Sequence, residues 1–330
     1  MTMKHTAPLM REVGVIARHA KSRVVHPNGI PLKDQLGYAP LLAQMVVTRR
    51  CNLQCGYCNE YDRHSPPVDI DTLKRQVTKL RDLGTVSVEF TGGEPLLHPH
   101  ITDLVSHATA LNFPARMLIT NAYLMTEDTV KRLNDAGLTH MQISIDGVTP
   151  NDVTVKVLDP LRKKLDMVAK HARFKVVVNS VIGAAPTPEV EEVFGFAADA
   201  GFCPRVLVIH DHEGQMKLDP DELQLFHRLR SHVKKLRLKD YNDLFLQGRS
   251  APFKCRGGSR YLYISEHGMV HWCSQMMDEW SKPLMDYTLD DLREQFYTPK
   301  DCSPMCTIGC ARNASHYDFW RPQGRSSDKD

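Results

Sequence analysis

The sequence predicts an α/β fold built on a parallel sheet, and three observations carry that prediction. Short apolar runs alternate with amphipathic stretches from about residue 43 to about residue 237. Strands alternating with helices imply parallel pairing through right-handed crossovers. The alternation runs through six βα units, too few to close an eight-stranded barrel. Beyond about residue 240 the rhythm stops, and five of the nine cysteines crowd between 255 and 310. The chain is therefore read as an N-terminal helical extension (1–40), a partial (β/α)6 barrel (41–240), a small C-terminal cysteine-rich extension (241–320) and a disordered polar tail (321–330).

Each element follows from its local pattern. Residues 9–25 carry apolar positions at Met10, Val13, Ile16, Ala17 and Ala20, the spacing of an amphipathic helix. Strands are expected at 43–48, 86–90, 116–120, 140–145, 174–181 and 205–209, each a short apolar run. Helices are expected at 70–83, 101–111, 126–136, 158–171, 190–200 and 220–236. Asp69 or Asp71 starts the first helix, and Gly137 and Gly201 stop two others. In the tail, 261–264 and 269–272 read as a hairpin turned by Glu266-His267-Gly268, with a short helix at 290–296.

Composition bounds the function. The net charge of +3 gives no ground for a nucleic-acid partner. No apolar run approaches the ~20 residues of a membrane span. Lys4, Arg11, Glu12 and Arg18 interrupt the first 20 residues, so no signal-peptide core is present there. A cytoplasmic location is expected. The basic face of the 9–25 helix (Arg11, Arg18, Lys21, Arg23) suits the outside of the main domain, with contact to an anionic membrane as the competing reading. In a reducing compartment, clustered cysteines serve metals or catalysis more often than disulfides.

In such folds the active site lies at the carboxyl ends of the strands. There the sequence places Cys51-Asn52-Leu53-Gln54-Cys55-Gly56-Tyr57-Cys58, then Thr91-Gly92-Gly93-Glu94-Pro95, Thr120-Asn121, Ser144-Ile145-Asp146-Gly147, Asn179 and His210-Asp211-His212-Glu213. Three thiolates hold three irons of a cubane and leave the fourth open, whereas a structural zinc takes four protein ligands. His210–Glu213 are candidates for substrate contact or proton transfer. Cys203, isolated from both cysteine centres, reads as a buried free thiol.

The spacing Cys51-x3-Cys55-x2-Cys58 with Tyr57 before the third cysteine, the Gly92-Gly93-Glu94-Pro95 stretch one unit later, and the six-fold rhythm together resemble the radical S-adenosylmethionine (SAM) superfamily over about 43–237. The resemblance implies a partial TIM-like barrel. It implies that Cys51, Cys55 and Cys58 bind a [4Fe–4S] cluster whose open iron takes the amino and carboxylate groups of SAM. Reductive cleavage of SAM would then yield methionine and a 5′-deoxyadenosyl radical that abstracts hydrogen from substrate. It further implies SAM contacts at Gly92, Gly93, Glu94, Asn121, Ser144 and Asn179, with Tyr57 against the adenine. An electron donor such as flavodoxin or ferredoxin is the implied partner.

Cys255-x12-Gly268-x4-Cys273 resembles the opening of the SPASM/twitch extensions of the same superfamily, with closing ligands from Cys302, Cys306 and Cys310. Five cysteines suffice for one auxiliary [4Fe–4S] cluster with one to spare, and the sequence does not say which of the last three is spare. A four-cysteine zinc knuckle is the alternative. Small-molecule and peptide substrates are expected about equally, and a lipid or isoprenoid substrate follows them. No extra N-terminal segment is long enough for cobalamin. A non-catalytic iron–sulfur carrier or sensor is the alternative of a different class; it has no use for Gly92–Pro95.

Overall fold

A computed structural model describes residues 37–58, 60–210, 215–232, 241–318 and 320–321. The expected helix at 9–25, the tail beyond 321, and Asp211, His212 and Glu213 lie outside the described residues. Six βα units are present: β1 (Leu42–Thr48), α1 (Ile70–Asp82), β2 (Ser87–Gly92), α2 (Ile101–Ala110), β3 (Ala115–Thr120), α3 (Glu127–Ala136), β4 (His140–Ser144), α4 (Arg162–His171), β5 (Lys175–Ile182), α5 (Thr187–Asp199), β6 (Cys203–Val208) and α6 (Pro220–His232). Then come α7 (Asn242–Leu246), β7 (Tyr261–Ile264), β8 (Met269–His271), β9 (Ser281–Pro283), α8 (Leu289–Tyr297) and α9 (Gly309–His316).

Strands β1 to β6 run parallel in the order β6-β5-β4-β3-β2-β1, and the sheet is open rather than closed. This is the mixed α/β, partial-barrel architecture expected. The helices cover one face: Leu73, Val77 and Leu80 of α1, Leu104 and Val105 of α2, and Val130 and Leu133 of α3 are buried against Val88, Phe90, Leu118 and Met141 of the sheet. Caps match the sequence signals. Asp69 Oδ2 accepts from Thr72 N–H at the start of α1, and Thr126 caps α3, which Gly137 closes.

The tail hairpin forms as expected but sits where no pattern announced it. Strand β7 pairs in parallel with β1, and β8 and β9 add antiparallel strands outside it, giving a nine-stranded sheet. Tyr261–Ile264 is buried at every residue, as an inner strand covered on both faces must be. One expectation is overturned: Cys203 is exposed, because it is the first residue of β6, at the strand's amino end. Among the described residues no helix is long and apolar enough to cross a membrane.

Candidate active site

Strand β1 ends at Thr48 and runs straight into the cysteine loop. Backbone bonds fix the loop: Cys51 N–H donates to Asp62 O at 2.9 Å, Asp62 N–H to Arg49 O at 2.8 Å, and Gly56 N–H to Val153 O at 2.9 Å. The end of β2 packs against its root. Gly93 N–H donates to Thr48 O and Glu94 N–H to Arg50 O, both at 2.9 Å. A Cβ on Gly92, whose φ is +142°, would lie 2.1 Å from Thr48 O, and one on Gly93 would lie 2.4 Å from Arg49 O. These glycines are therefore required by the cysteine loop itself, whatever else approaches them.

Cys51, Cys55, Cys58, Gly92, Gly93, Asn121, Ser144 and His210 all line one cavity of about 390 Å³. The sequence placed each of these on the active rim. Tyr57, Glu94 and Asn179 do not line it and act from behind. Glu94 is fully buried and accepts from Thr120 Oγ1 at 2.7 Å, Asn121 N–H at 2.8 Å and Leu96 N–H at 3.0 Å. Burial raises its pKa to about 7 against those three donors. Its work is to hold Asn121, whose Nδ2 donates to Asn52 Oδ1 at 2.9 Å and lies 3.8 Å from Cys51 Sγ. Asn179 accepts from Arg205 Nε at 2.8 Å.

Tyr57 belongs to a cluster that motif reading missed. Its hydroxyl donates to Asp146 Oδ2 at 2.9 Å, and Lys156 Nζ donates to Tyr57 and lies 4.6 Å from the ring centroid. Thr154 also donates to Asp146 Oδ2, at 2.8 Å, while Lys156 stands 3.5 Å from that same oxygen. Burial works against the Lys156 charge, but Asp146, Tyr57 and Cys55 outweigh it and raise its pKa, so a permanent cation lines the cavity beside the thiols. Burial raises the pKa of Cys51 and of Cys58, with Lys156 opposing the rise at Cys58.

The inner face of the sheet also carries Gln44, Gln142 and Arg205 into the cavity. Gln44 Nε2 donates to the buried Glu89 at 2.6 Å, and Arg205 donates to Gln142. The available signal was a polar residue between apolar neighbours inside each strand: Gln44 between Ala43 and Met45, Gln142 between Met141 and Ile143, Arg205 between Pro204 and Val206.

The tail cysteines divide. Cys255 lies in one apolar cluster with Cys306 packed against it, and Cys273 lies in another, with Tyr261 and Tyr263, against which Cys310 packs. Lys300, buried and donating to Gln295 O, feels Cys255 and Cys302. Cys310 has Glu89, Arg205, Glu60 and Arg312 as charged neighbours, and it lines the cavity shared by Cys51, Cys55 and Cys58. Among the described residues, no three His, Cys, Asp or Glu side chains are arranged around a single metal ion. The donor sets suit cubanes chemically: three thiols beside an open cavity in the first, and five free tail thiols from which four can be drawn in the second.

The Radical SAM superfamily profile matches residues 45–197. The PqqA peptide cyclase of Bradyrhizobium diazoefficiens is 34% identical over 168 residues, 48% of this chain and 44% of that protein. The GTP 3′,8-cyclase of Chlorobaculum tepidum is 29% identical over 161 residues, 48% of this chain and 45% of that protein. The matches thus span about half the length of these curated relatives, or less. Among solved structures, Streptococcus suis SuiB bound to precursor peptide SuiA aligns over 90% of this chain and 72% of its own, with TM-score 0.59 and 17% identity. The anSMEcpe structure with bound AdoMet and Cp18Cys peptide aligns over 87% and 92%, with TM-score 0.57 and 17% identity. These two likenesses are of fold. The cysteine loop, the Gly92–Pro95 turn and strands β2 to β5 all fall within residues 45–197, the stretch over which the chain matches the Radical SAM superfamily profile.

Proposed function

We propose that this protein is a radical SAM enzyme acting on a peptide. The observation that carries the reading is the convergence of Cys51, Cys55 and Cys58 with residues from the carboxyl ends of β2, β3, β4 and β6 on one cavity. Those three cysteines would hold a [4Fe–4S] cluster; when bound and reduced, it supplies the electron that splits SAM into methionine and a 5′-deoxyadenosyl radical. The chain's own residues do the rest. Asn121 and Ser144 offer polar groups to SAM, Glu94 fixes Asn121, and Lys156 offers a cation to a carboxylate. Cys255 and Cys273, with two of Cys302, Cys306 and Cys310, would hold one auxiliary cluster, and a flavodoxin or ferredoxin would supply electrons.

A peptide substrate is supported by the sequence similarity to a PqqA peptide cyclase. The similarity to a GTP 3′,8-cyclase favours a small-molecule substrate as the second reading. The test is anaerobic reconstitution with iron and sulfide, followed by SAM and dithionite. The protein should carry about eight irons and form 5′-deoxyadenosine and methionine; Cys55→Ala should carry about four and form neither. A fully iron-loaded sample that forms no 5′-deoxyadenosine would overturn the reading and leave an iron–sulfur carrier. Stimulation by precursor-type peptides, and not by GTP, is expected; the reverse would select the second reading.

A further inference from the structure

One cation on the wall of this cavity has no anion of its own. Arg205, the third residue of β6, lines the cavity and is held along one edge. Its Nε donates to Asn179 Oδ1 at 2.8 Å, and its Nη2 donates to Gln142 Oε1. Asn179 stands beside it in register on β5, and Gln142 comes from β4, the next strand along. Both acceptors are neutral amides, so they fix the guanidinium without neutralising it. Among the described residues, Arg205 makes no ion pair and its Nη1 makes no hydrogen bond. The other charges nearby are matched. Lys156 stands 3.5 Å from Asp146. Glu60, the only carboxylate among the described lining residues, accepts from Ser274 in the field of Arg49. Glu89, which feels Arg205, is buried behind the wall, accepts from Gln44 at 2.6 Å and is driven toward its neutral form by burial.

We propose that the open edge of Arg205 binds a carboxylate of the substrate, distinct from the carboxylate of SAM. The inference rests on the radical SAM reading above and names a feature of the substrate that the reading leaves open. A guanidinium has two forked edges. The Nε–Nη2 edge is occupied by the two amides. Both N–H bonds of Nη1 and the second of Nη2 remain, and the Nη1–Nη2 edge matches the two oxygens of a carboxylate. Asn179 and Gln142 are positioning residues that set the direction of this fork. A guanidinium already held by side chains of two strands loses little freedom on binding. One carboxylate balances one cation, whereas a phosphate dianion would bring a second charge to a wall that already carries Glu60.

The test is protection from phenylglyoxal, which modifies accessible guanidinium groups. It uses the cluster-loaded full chain under anaerobic conditions, with and without SAM, and reads the labelling rate of each arginine by peptide mapping. With SAM bound, Arg205 should be labelled, and saturating glutarate should slow that labelling about fivefold or more. Glutaramide, of similar shape without the charges, and inorganic phosphate should slow it less than about twofold. The surface residue Arg75 should be labelled equally in every sample. A tripeptide amide, acetyl-Ala-Glu-Ala, and its Gln counterpart separate the two sources of the carboxylate. Protection by the Glu tripeptide and not the Gln one supports a peptide side chain. Protection by glutarate alone supports a free acid; the carboxylate site then stands while the peptide reading fails. Formation of 5′-deoxyadenosine on adding dithionite to the same preparation tests the enzyme reading separately. Arg205 that is never labelled, that SAM alone shields, that no carboxylate protects, or that glutaramide or phosphate protects equally well would overturn the assignment.

Discussion

His140 shows how a single side chain ties this fold to pH. It opens β4 with the cationic Lys175 and Arg116 on the neighbouring strands, and its Nδ1 lies 2.9 Å from Thr139 Oγ1. Burial, then Lys175 and Arg116, lower its pKa from 6.5 to about 4. A proton therefore binds the unfolded chain more tightly than the folded one between those values. The stability contributed by neutral His140 is fully present above pH 6.5 and is lost as the pH falls toward about 4. His140→Gln should flatten that part of the dependence, read as a smaller drop of the unfolding midpoint between pH 6.5 and pH 4.5 than in wild type. An unchanged slope would assign the acid sensitivity to other groups. At the same scale, Tyr57 and Glu94, expected to contact SAM, stand behind the cavity wall. Their hydroxyl and carboxylate oxygens are already taken by Asp146, Lys156, Thr120 and the Asn121 and Leu96 amides.

At the level of elements, the β2 terminus and the cysteine loop are one unit. The carbonyls of Thr48, Arg49 and Arg50 occupy the space where side chains on Gly92 and Gly93 would be. Those clashes are with backbone, so no rotamer change relieves them. Gly93→Ala should cost about 2–3 kcal/mol or more and displace the cysteine loop. Thermal unfolding of the apo protein reads the first effect, and iron content after reconstitution reads the second. A variant with wild-type midpoint and full iron would show that the loop yields freely. The βα units themselves were legible because each helix and strand obeys its own periodicity: the apolar faces of α1, α2 and α3 are the ones buried. The pairing of β7 with β1 was not legible, because sheet neighbours more than 200 residues apart leave no mark on either strand's local pattern.

Across the whole molecule, the tail is tied back to the first strand. Arg260, at the entrance to β7, pairs with Asp318 (Nε–Oδ2 2.6 Å), and both side chains are buried. Arg260 also donates to Ala39 O at 2.8 Å, and Arg321 donates to Gly37 O, so the segment entering β1 and the end of α9 share one clamp. Removing one member of a buried pair leaves an uncompensated charge. Asp318→Ala should therefore destabilise the protein by about 3–5 kcal/mol, and Arg260→Met in the same chain should restore part of the loss. Urea titrations of the anaerobic, loaded protein measure this; a single variant within about 0.5 kcal/mol of wild type would mean that the pair is solvated. The clamp bears on the cavity because α9, whose Cys310 lines it, ends at His316, two residues before Asp318.

The sequence alone determined the parts whose signal is local. The spacing of Cys51, Cys55 and Cys58, the Gly92–Pro95 turn, the six βα units and the placement of Asn121 and Ser144 at strand ends all follow from neighbours within one unit. Tertiary structure decided what depends on lateral register and on loops folding over. It joined Lys156 to Tyr57, gathered Gln44, Gln142 and Arg205 from three strands into one wall, and exposed Cys203. It also set Cys310 on the cavity wall while packing it against the cluster that holds Cys273. Spacing along the chain bounds how far apart two sulfurs lie but not which way each one points, and α9 brings Cys310 to the cavity that Cys51, Cys55 and Cys58 line.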